Sequence, residues 1–570
     1  MNRQAEEMKG CRIVVETLIE QGVTEIFGYP GGTVLDIYDE LYKASDRITH
    51  IRTAHEQGAS HAADGYSRVT GKVGVCIATS GPGATNLVTG IATAMLDSVP
   101  MVAITGNVPT SAIGKDGFQE VNITGVTMPI TKHNYFVTDV TQLADTIREA
   151  FKIAKSGRPG PVLIDIPKDV QNAVCEYTPL VPVAPDPQEI ADDAIIDQAV
   201  QMINEAKRPY IFIGGGAAGC GMEEAVKALA EKIDAYVGCT FMGLSTLPNS
   251  YDRFLGMEGM HGLYASSMAN DNADLIIGLG VRFSDRATGN PKKYAEKAKI
   301  IQLDLDKSEI NKNVLVDLGI IGNIVFSFER ILERVKKQEH PEWGQMIRGY
   351  KEVGKSIAKK LEEVPAERIT PRRIFRVINE NKTPAMPIAT DVGQHQMWAA
   401  QYTDFEQPRR FASSGGLGTM GYGLGAAIGA YYGSKEKTIL ITGDGSFGMN
   451  LNELVTLVGY HIPVVIVLIN NGVLGMVRQW QSLFYGKRYS NTMMSQTTDY
   501  VKLAEAFGLP GRKAVTSCEF EAAFKEAMAH DGPFLINAVI DQDEPVLPML
   551  PAGGSMENII TKFEKKEGER

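Results

Sequence analysis

Two short polar clusters carry residue types suited to holding a phosphate through a metal ion. Gly443-Asp444-Gly445-Ser446 follows the apolar run Thr438–Thr442, and Asn470-Asn471-Gly472 follows the apolar run Pro463–Ile469. This spacing predicts two strands joined by a helix that begins near Leu451. A right-handed βαβ unit brings both strand ends to the same edge of a sheet. The Asp444 carboxylate, the Asn471 amide oxygen and the Val473 carbonyl would then converge. These are hard oxygen ligands, suited to Mg2+, which takes the rest of its octahedral shell from a diphosphate and water. Gly443 and Gly445 let the backbone approach phosphate, and a helix N-terminus offers it free N–H groups. Either cluster alone reads as an ordinary turn; their pairing at successive strand ends points to a site.

Further candidates share these blocks. Gly393-Gln394-His395 follows the apolar run Ala385–Thr390, where polar side chains could reach a diphosphate, although a lone strand-end histidine is as readily structural. Ser413-Ser-Gly-Gly-Leu-Gly-Thr-Met-Gly421 leaves room for close backbone approach and holds one bulky apolar side chain, Met420. Glu56 opens a small-residue helix after the run Ile48–Ala54. Acids favour helix starts in any case, so position alone does not separate a solvated Glu56 from a reactive one.

These residues need scaffolds. Glycine-bounded apolar runs alternate with amphipathic stretches along nearly the whole chain, which predicts an α/β fold of parallel sheets. Prolines 179, 182, 185 and 187 mark a linker, and the polar stretch 336–368 reads as an exposed helix and connection. The blocks are therefore 1–175, 190–340 and 368–545, with a tail, 546–570, expected to drape over the surface. The outer blocks resemble each other: Gly74–Gly83 and Thr438–Ser446 both run from strand to glycine turn, and Gly160–Pro167 matches Gly532–Val539. In the middle block, Tyr210-Ile-Phe-Ile-Gly214-Gly215-Gly216 and Leu275-Ile-Ile-Gly-Leu-Gly280 are each a weak dinucleotide signal.

With 570 residues, 44% hydrophobic and 22% charged, and a net charge of −11, the chain reads as a soluble protein with no broad attraction for nucleic acid or anionic membrane. The first ten residues lack the apolar stretch of a signal peptide, and six scattered cysteines without C-x-x-C pairing fit a cytoplasmic setting.

The chain resembles the acetohydroxyacid synthase large subunits, within the thiamine-diphosphate decarboxylase and carboligase superfamily. The resemblance is carried by Tyr29-Pro-Gly-Gly32, His55-Glu-Gln-Gly58, Thr79-Ser-Gly-Pro-Gly83, Ile130–Tyr135, Gly157-Arg158-Pro-Gly-Pro161, Gly256–Gly262, Gly393–Trp398, Leu474–Trp480 and Leu547–Gly554, in the family's order. It implies three doubly wound parallel-sheet domains: pyrimidine-binding, central FAD-binding and diphosphate-binding. It implies that Glu56 hydrogen-bonds N1′ of the thiamine pyrimidine, that Met420 wedges the cofactor into a bent shape with the Gly418 carbonyl near its amino group, and that Asp444, Asn471 and the Val473 carbonyl hold Mg2+. Gln394, His395 and Ser446 would approach the diphosphate alongside Gly443 and Gly445. Gly32, Gln119 and Lys168 would lie near the reacting carbons, and Arg286 and Trp480 would shape the second-substrate pocket. A non-redox FAD would be bound by Arg158, Gly214, Gly215, Gly216, Thr240, His261, Gly280, Arg282, Arg286 and Asp304. Ser284 stands where the family more often has a carboxylate. The implied reaction decarboxylates pyruvate and joins its two-carbon remainder to pyruvate or 2-oxobutanoate, for branched-chain amino acid synthesis. A homodimer or homotetramer with a small regulatory subunit is implied too. A catabolic acetolactate synthase, which would lack FAD, and a pyruvate oxidase are the rival enzymes; a catalytically dead scaffold subunit is opposed by Glu56, Asp444 and Asn471.

Overall fold

The computed structural model describes residues 5–182, 188–494 and 497–562. Strands are β1 (Glu6–Lys9), β2 (Glu25–Gly28), β3 (Thr49–Arg52), β4 (Gly74–Ala78), β5 (Met101–Asn107), β6 (His133–Phe136), β7 (Pro161–Pro167) and β8 (Val174–Tyr177). The middle of the chain adds β9 (Pro209–Ile213), β10 (Tyr236–Cys239), β11 (Phe254–Met257), β12 (Leu275–Leu279), β13 (Lys299–Asp304) and β14 (Leu318–Ile321). The last third contributes β15 (Ile388–Thr390), β16 (Phe411–Ala412), β17 (Thr438–Gly443), β18 (Val464–Asn470), β19 (Gly511–Ala514) and β20 (Phe534–Val539).

Three parallel six-stranded sheets result, in orders β3-β2-β4-β5-β7-β6, β11-β10-β9-β12-β13-β14 and β16-β15-β17-β18-β20-β19. Their central strands β4, β5, β7, β9, β12 and β17 are buried along their whole length. Such continuous burial suits a parallel sheet covered by helices on both faces. Counted from each domain's first strand, the first and third sheets share one order, which bears out the likeness of the outer blocks. The middle sheet instead has the 3-2-1-4-5-6 order of dinucleotide-binding folds, reversing between β9 and β12. An antiparallel ribbon of β1 and β8 ties the start of the first domain to its end.

The first and third domains meet where the helix Glu56–Thr70 crosses the helix Gly423–Ser434. A Cβ at Gly429 would overlap the Ala62 carbonyl oxygen, and one at Gly65 the Ala426 carbonyl oxygen. The helices therefore touch backbone to backbone.

The polar stretch 336–368 contains the helix Pro341–Leu361, whose Trp343 is buried and donates from Nε1 to the Pro209 carbonyl at 3.2 Å. Pro179 and Pro182 lie in irregular chain, whereas Pro185, Pro187, residues 1–4 and the tail's last residues, 563–570, fall outside the described residues. The start of the tail departs from expectation. Val546, Leu547, Met549 and Leu550 are buried, and Leu550 N–H donates to the Met260 carbonyl of the middle domain at 2.7 Å. The prolines of this stretch suggest surface chain, but its apolar side chains have a seam between two domains to fill. Among the described residues no helix is long and apolar enough to cross a membrane.

Candidate active site

β17 and β18 are adjacent and parallel, with Gly443 opposite Ile469, so their polar ends meet as the spacing predicts. The helix after β17 begins at Asp444, spanning Asp444–Asn450, rather than near Leu451. Its glycines disfavour a helix, but Phe447, buried at 1% exposure, anchors it. Asp444 therefore occupies the first helical turn, where backbone N–H groups face its carboxylate. Burial pushes this carboxyl up to about 6, against the N–H groups of Asp444, Gly445, Gly472 and Asn471, which hold it down.

Asn471 is oriented from both ends. Its Oδ1 accepts from Val473 N–H at 3.2 Å, and its Nδ2 donates to Gln394 Oε1 at 3.1 Å. Gln394 in turn donates from Nε2 to Gln479 Oε1 and to the Glu544 carbonyl, both at 2.9 Å. Gln394 thus stands behind Asn471 as its support. Among the described residues, Asp444 has no ion pair and the Val473 carbonyl accepts no hydrogen bond. A buried carboxylate without a cation, an oriented amide and a free carbonyl fit a divalent ion. No group of three or more His, Cys, Asp or Glu that could hold a metal occurs among the described residues. A set with one charge suits an ion that shares its ligand's negative charge.

His395 lies against Gly443, where a Cβ would fall 2.6 Å from its Nδ1. Burial lowers its pKa to about 3, and its buried Nε2 has no hydrogen-bond partner among the described residues. A neutral imidazole with an unsatisfied nitrogen at a strand edge suits a phosphate oxygen. Ser446 Oγ donates to the Val392 carbonyl at 2.7 Å. Met420 reaches over Gly445, its Cε 3.7 Å from where a Cβ there would stand, and Gly418 adopts φ +69°. The loop carrying both is tied to β15 and β17 by Asp391, which accepts from Gly421 N–H at 2.8 Å and Thr442 Oγ1 at 3.0 Å. Burial raises this carboxyl to about 6. Asp391 was missed in the sequence, although it directly follows the apolar run ending at Thr390.

Glu56 is buried at the first position of its helix, and its Oε2 accepts from Asn86 Nδ2 at 3.0 Å. It is not a solvated helix-start acid. A second residue missed in the sequence braces it: Glu453, from the third domain, accepts from the Ala54 and His55 N–H groups at 3.0 Å each and from Thr456 Oγ1 at 2.7 Å. Burial raises the pKa of Glu453, and the nearby Glu56 charge adds to that shift.

Lys168 Nζ donates to the Gly32 carbonyl at 2.9 Å, and Gln119, at φ +60°, lies beside Gly81. These residues share the carboxyl edge of the first sheet, which is open: the Lys168 side chain is 40% exposed and Phe118 is 87% exposed. No hydrogen bond among the described residues joins them to the third domain. Arg286 projects with its side chain 62% exposed and reaches Met260 Sδ at 3.3 Å. Trp480 is half-buried on the helix Gly475–Phe484, edge-on to Phe484 at 5.5 Å.

In the middle domain, the glycine turns after β9 and β12 lie back to back at the strand-order reversal, the place where dinucleotides bind in such sheets. Cβ atoms at Gly214 or Gly216 would collide with Gly280, so this contact by itself accounts for the glycines, and Gly215 flanks Met242. The ligand-facing signals are two. Asp304, at the end of β13, is raised to about 6 by burial, and His261 has a buried Nδ1 without a partner among the described residues and a pKa lowered to about 4 by burial and then by Arg286. Thr240 Oγ1 accepts from Gly243 N–H at 3.2 Å, so it caps a turn. A carboxylate and a free ring nitrogen here fit a ligand rich in hydroxyls.

Paired outer domains with one strand order, an acidic residue at a buried helix start and an oxygen-ligand set at two strand ends define a thiamine-diphosphate enzyme. Family models agree: "Thiamine pyrophosphate enzyme, N-terminal TPP binding domain" matches residues 8–126, the central domain 196–331 and the "C-terminal TPP binding domain" 391–538. The chain is 44% identical to the acetolactate synthase large subunit of Corynebacterium glutamicum, over 97% of this chain and 90% of that protein. It is 43% identical to the probable large subunit of Methanocaldococcus jannaschii, over 97% and 95%. With the isozyme 3 large subunit of Escherichia coli it shares 40%, over 98% and 100%. The chain belongs to the acetolactate synthase large-subunit family.

Proposed function

We propose that the chain decarboxylates pyruvate and joins the two-carbon remainder to a second 2-keto acid. Two pyruvates give one 2-acetolactate and CO2; pyruvate with 2-oxobutanoate gives 2-aceto-2-hydroxybutanoate and CO2. The convergence of a cation-free Asp444 carboxylate with Asn471 and the free Val473 carbonyl carries this reading.

In it, thiamine diphosphate supplies a nucleophilic carbon and a sink for the electron pair left when CO2 departs. Asp444, Asn471 and the Val473 carbonyl hold Mg2+, which neutralises the diphosphate. His395 donates to a diphosphate oxygen, and Met420 props the cofactor. Glu56 shares a proton with N1′ of the pyrimidine, in a buried setting that strengthens the bond. Lys168, Gln119 and Gly32 receive the first keto acid, while Arg286 and Trp480 line the acceptor pocket. Exclusion of water prevents protonation of the two-carbon unit to acetaldehyde. FAD occupies the β9/β12 switch point as a structural group, held by Asp304, His261, Arg158 and Arg282. The open first-domain edge with exposed Phe118 supports completion by a second copy, as homodimer or homotetramer. The relatives' designation as large subunits supports a small regulatory partner, and six scattered cysteines without C-x-x-C pairing support a cytoplasmic setting.

Product analysis of the purified chain supplied with Mg2+, thiamine diphosphate and FAD tests this. Acetolactate should form from pyruvate, and acetohydroxybutyrate should join it when 2-oxobutanoate is added. Acetaldehyde as sole product, or oxygen uptake matching pyruvate loss, would overturn the reading.

A further inference from the structure

The end of the helix Val88–Asp97 meets all three domains. Asp97, whose side chain is fully shielded from solvent, accepts from Gly415 N–H at 3.0 Å and Gly416 N–H at 2.7 Å. Arg68 donates from Nη2 to the same carboxylate at 2.8 Å and from Nε to Asp64 at 2.6 Å. Tyr422, of the third domain, donates to Asp64 at 2.6 Å. One turn before Asp97, Thr93 Oγ1 lies 2.8 Å from Thr419 Oγ1. The residues flanking Asp97 are gripped from the other side. Arg282, of the middle domain, donates from Nη1 to the Leu96 carbonyl at 2.6 Å. Arg158 donates from Nε to Ser98 Oγ at 2.8 Å and from Nη1 to middle-domain Glu309 at 2.8 Å.

Asp97 and Thr93 hold the loop 413–421 through Gly415, Gly416 and Thr419. Gly415 and Gly416 have no side chains with which to pack, so hydrogen bonds to their backbone must set their path. A buried carboxylate accepting two successive N–H groups does so strongly, because charge-assisted bonds are about twice as strong as neutral ones. We propose that Leu96, Asp97 and Ser98 form a positioning node that transmits the seating of the middle domain to the Met420 loop. The node rests on the reading of Met420 as the prop beneath the cofactor. It gives the middle domain a part in catalysis without electron transfer: Arg158 and Arg282 fix the helix end from which Asp97 holds the loop. A displacement of about 1 Å at such a prop can cost about a hundredfold in rate.

The test compares Asp97→Asn, Met420→Ala and the double variant. In protein stripped of cofactors, deuterium exchange at Gly415 and Gly416 should quicken at least about tenfold in Asp97→Asn, with the Glu56–Thr70 helix unchanged, because local opening governs such exchange. In holoenzyme, exchange of the thiamine C2 proton should slow by about ten- to a hundredfold, with diphosphate affinity and the KM for pyruvate preserved. Because Asp97 acts through Met420, the double variant should be little slower than Met420→Ala alone. Unaltered loop exchange in Asp97→Asn, or fully additive losses, would overturn the node while leaving Met420's role intact. Unaltered C2 exchange in Met420→Ala would instead overturn the prop, and the node with it. Should Asp97→Asn fail to fold, Thr93→Val removes the Thr419 bond at nearly constant volume. It should quicken exchange at Thr419 and slow C2 exchange; no change in either would count against the node.

Discussion

The first and third domains share a strand order but differ in how their carboxyl edges are finished. On the third, Asp444, Asn471, His395 and Ser446 are all buried, with the chain Val473–Met494 turning back beside Asn471 and Glu544–Val546 bracing Gln394 and Gln479. On the first, Gly32 and Lys168 lie open and Phe118 projects into solvent. A duplicated scaffold has thus been divided in labour. One edge is closed by its own residues and fixes a charge in place. The other leaves Gly32 and Lys168 open to whatever closes over it, while Glu56 is buried.

That division is open to direct attack, most severely at Glu56. Glu56→Gln keeps size and shape but removes the charge that shares the N1′ proton. Thiamine diphosphate should bind as before while C2 proton exchange, followed by NMR in deuterated solvent, falls by about 10²- to 10⁴-fold. Unchanged exchange would make the first domain's buried acid structural. Asp444→Ala should do the converse. Mg2+-dependent diphosphate affinity, measured by calorimetry, should fall at least about a hundredfold, since a bound ion contributes several kcal/mol. Retention of full affinity would show that the closed edge does not hold the metal.

The smallest effect concerns the seam between the two domains. His61, edge-on to Tyr422 at 5.2 Å, is held at about 3 by burial and then by Arg68. Its folded pKa lies below the unfolded value of about 6.5, so the fold favours the neutral ring. The resulting stability is complete above that value and is lost progressively as pH falls towards 3. Between pH 7 and pH 5 this histidine alone should cost about 2 kcal/mol. His61→Gln should recover that share of the acid sensitivity, read as the shift in denaturant midpoint between the two pH values. An unchanged shift would place the sensitivity elsewhere, with His395 the next candidate.

The meeting of Asp444 with Asn471 was legible because strand period and βα alternation dictate where a chain emerges from a sheet. Asp444 and Asn471 needed only local pattern to be placed together, and the parallel-sheet architecture followed from the same alternation. Asp391, Glu453 and Asp97 were not legible as site residues. Each is a carboxylate whose partners are mainly backbone N–H groups; those of Glu453 and Asp97 lie hundreds of positions away, and a backbone group leaves no mark in the sequence. The early helix start at Asp444 was hidden by its glycines, whose intrinsic preference is overruled once Phe447 is buried. In the tail, the prolines spoke louder than Leu547, Met549 and Leu550, which had a seam to fill.

The buried start of that tail bears on the order in which the molecule is made. Asn471 is held by Gln394, Gln394 by the Glu544 carbonyl and by Gln479, and Gln479 Oε1 by the Val546 N–H at 2.9 Å. During synthesis the domains emerge and fold from the N-terminal end, so β17 and β18 can be paired while Asn471, at the end of β18, still lacks its brace. Only when the chain beyond Val546 has left the ribosome can that brace form. The edge proposed to hold Mg2+ is therefore completed last, and a chain released short of this point would carry three folded sheets around a loosely held Asn471.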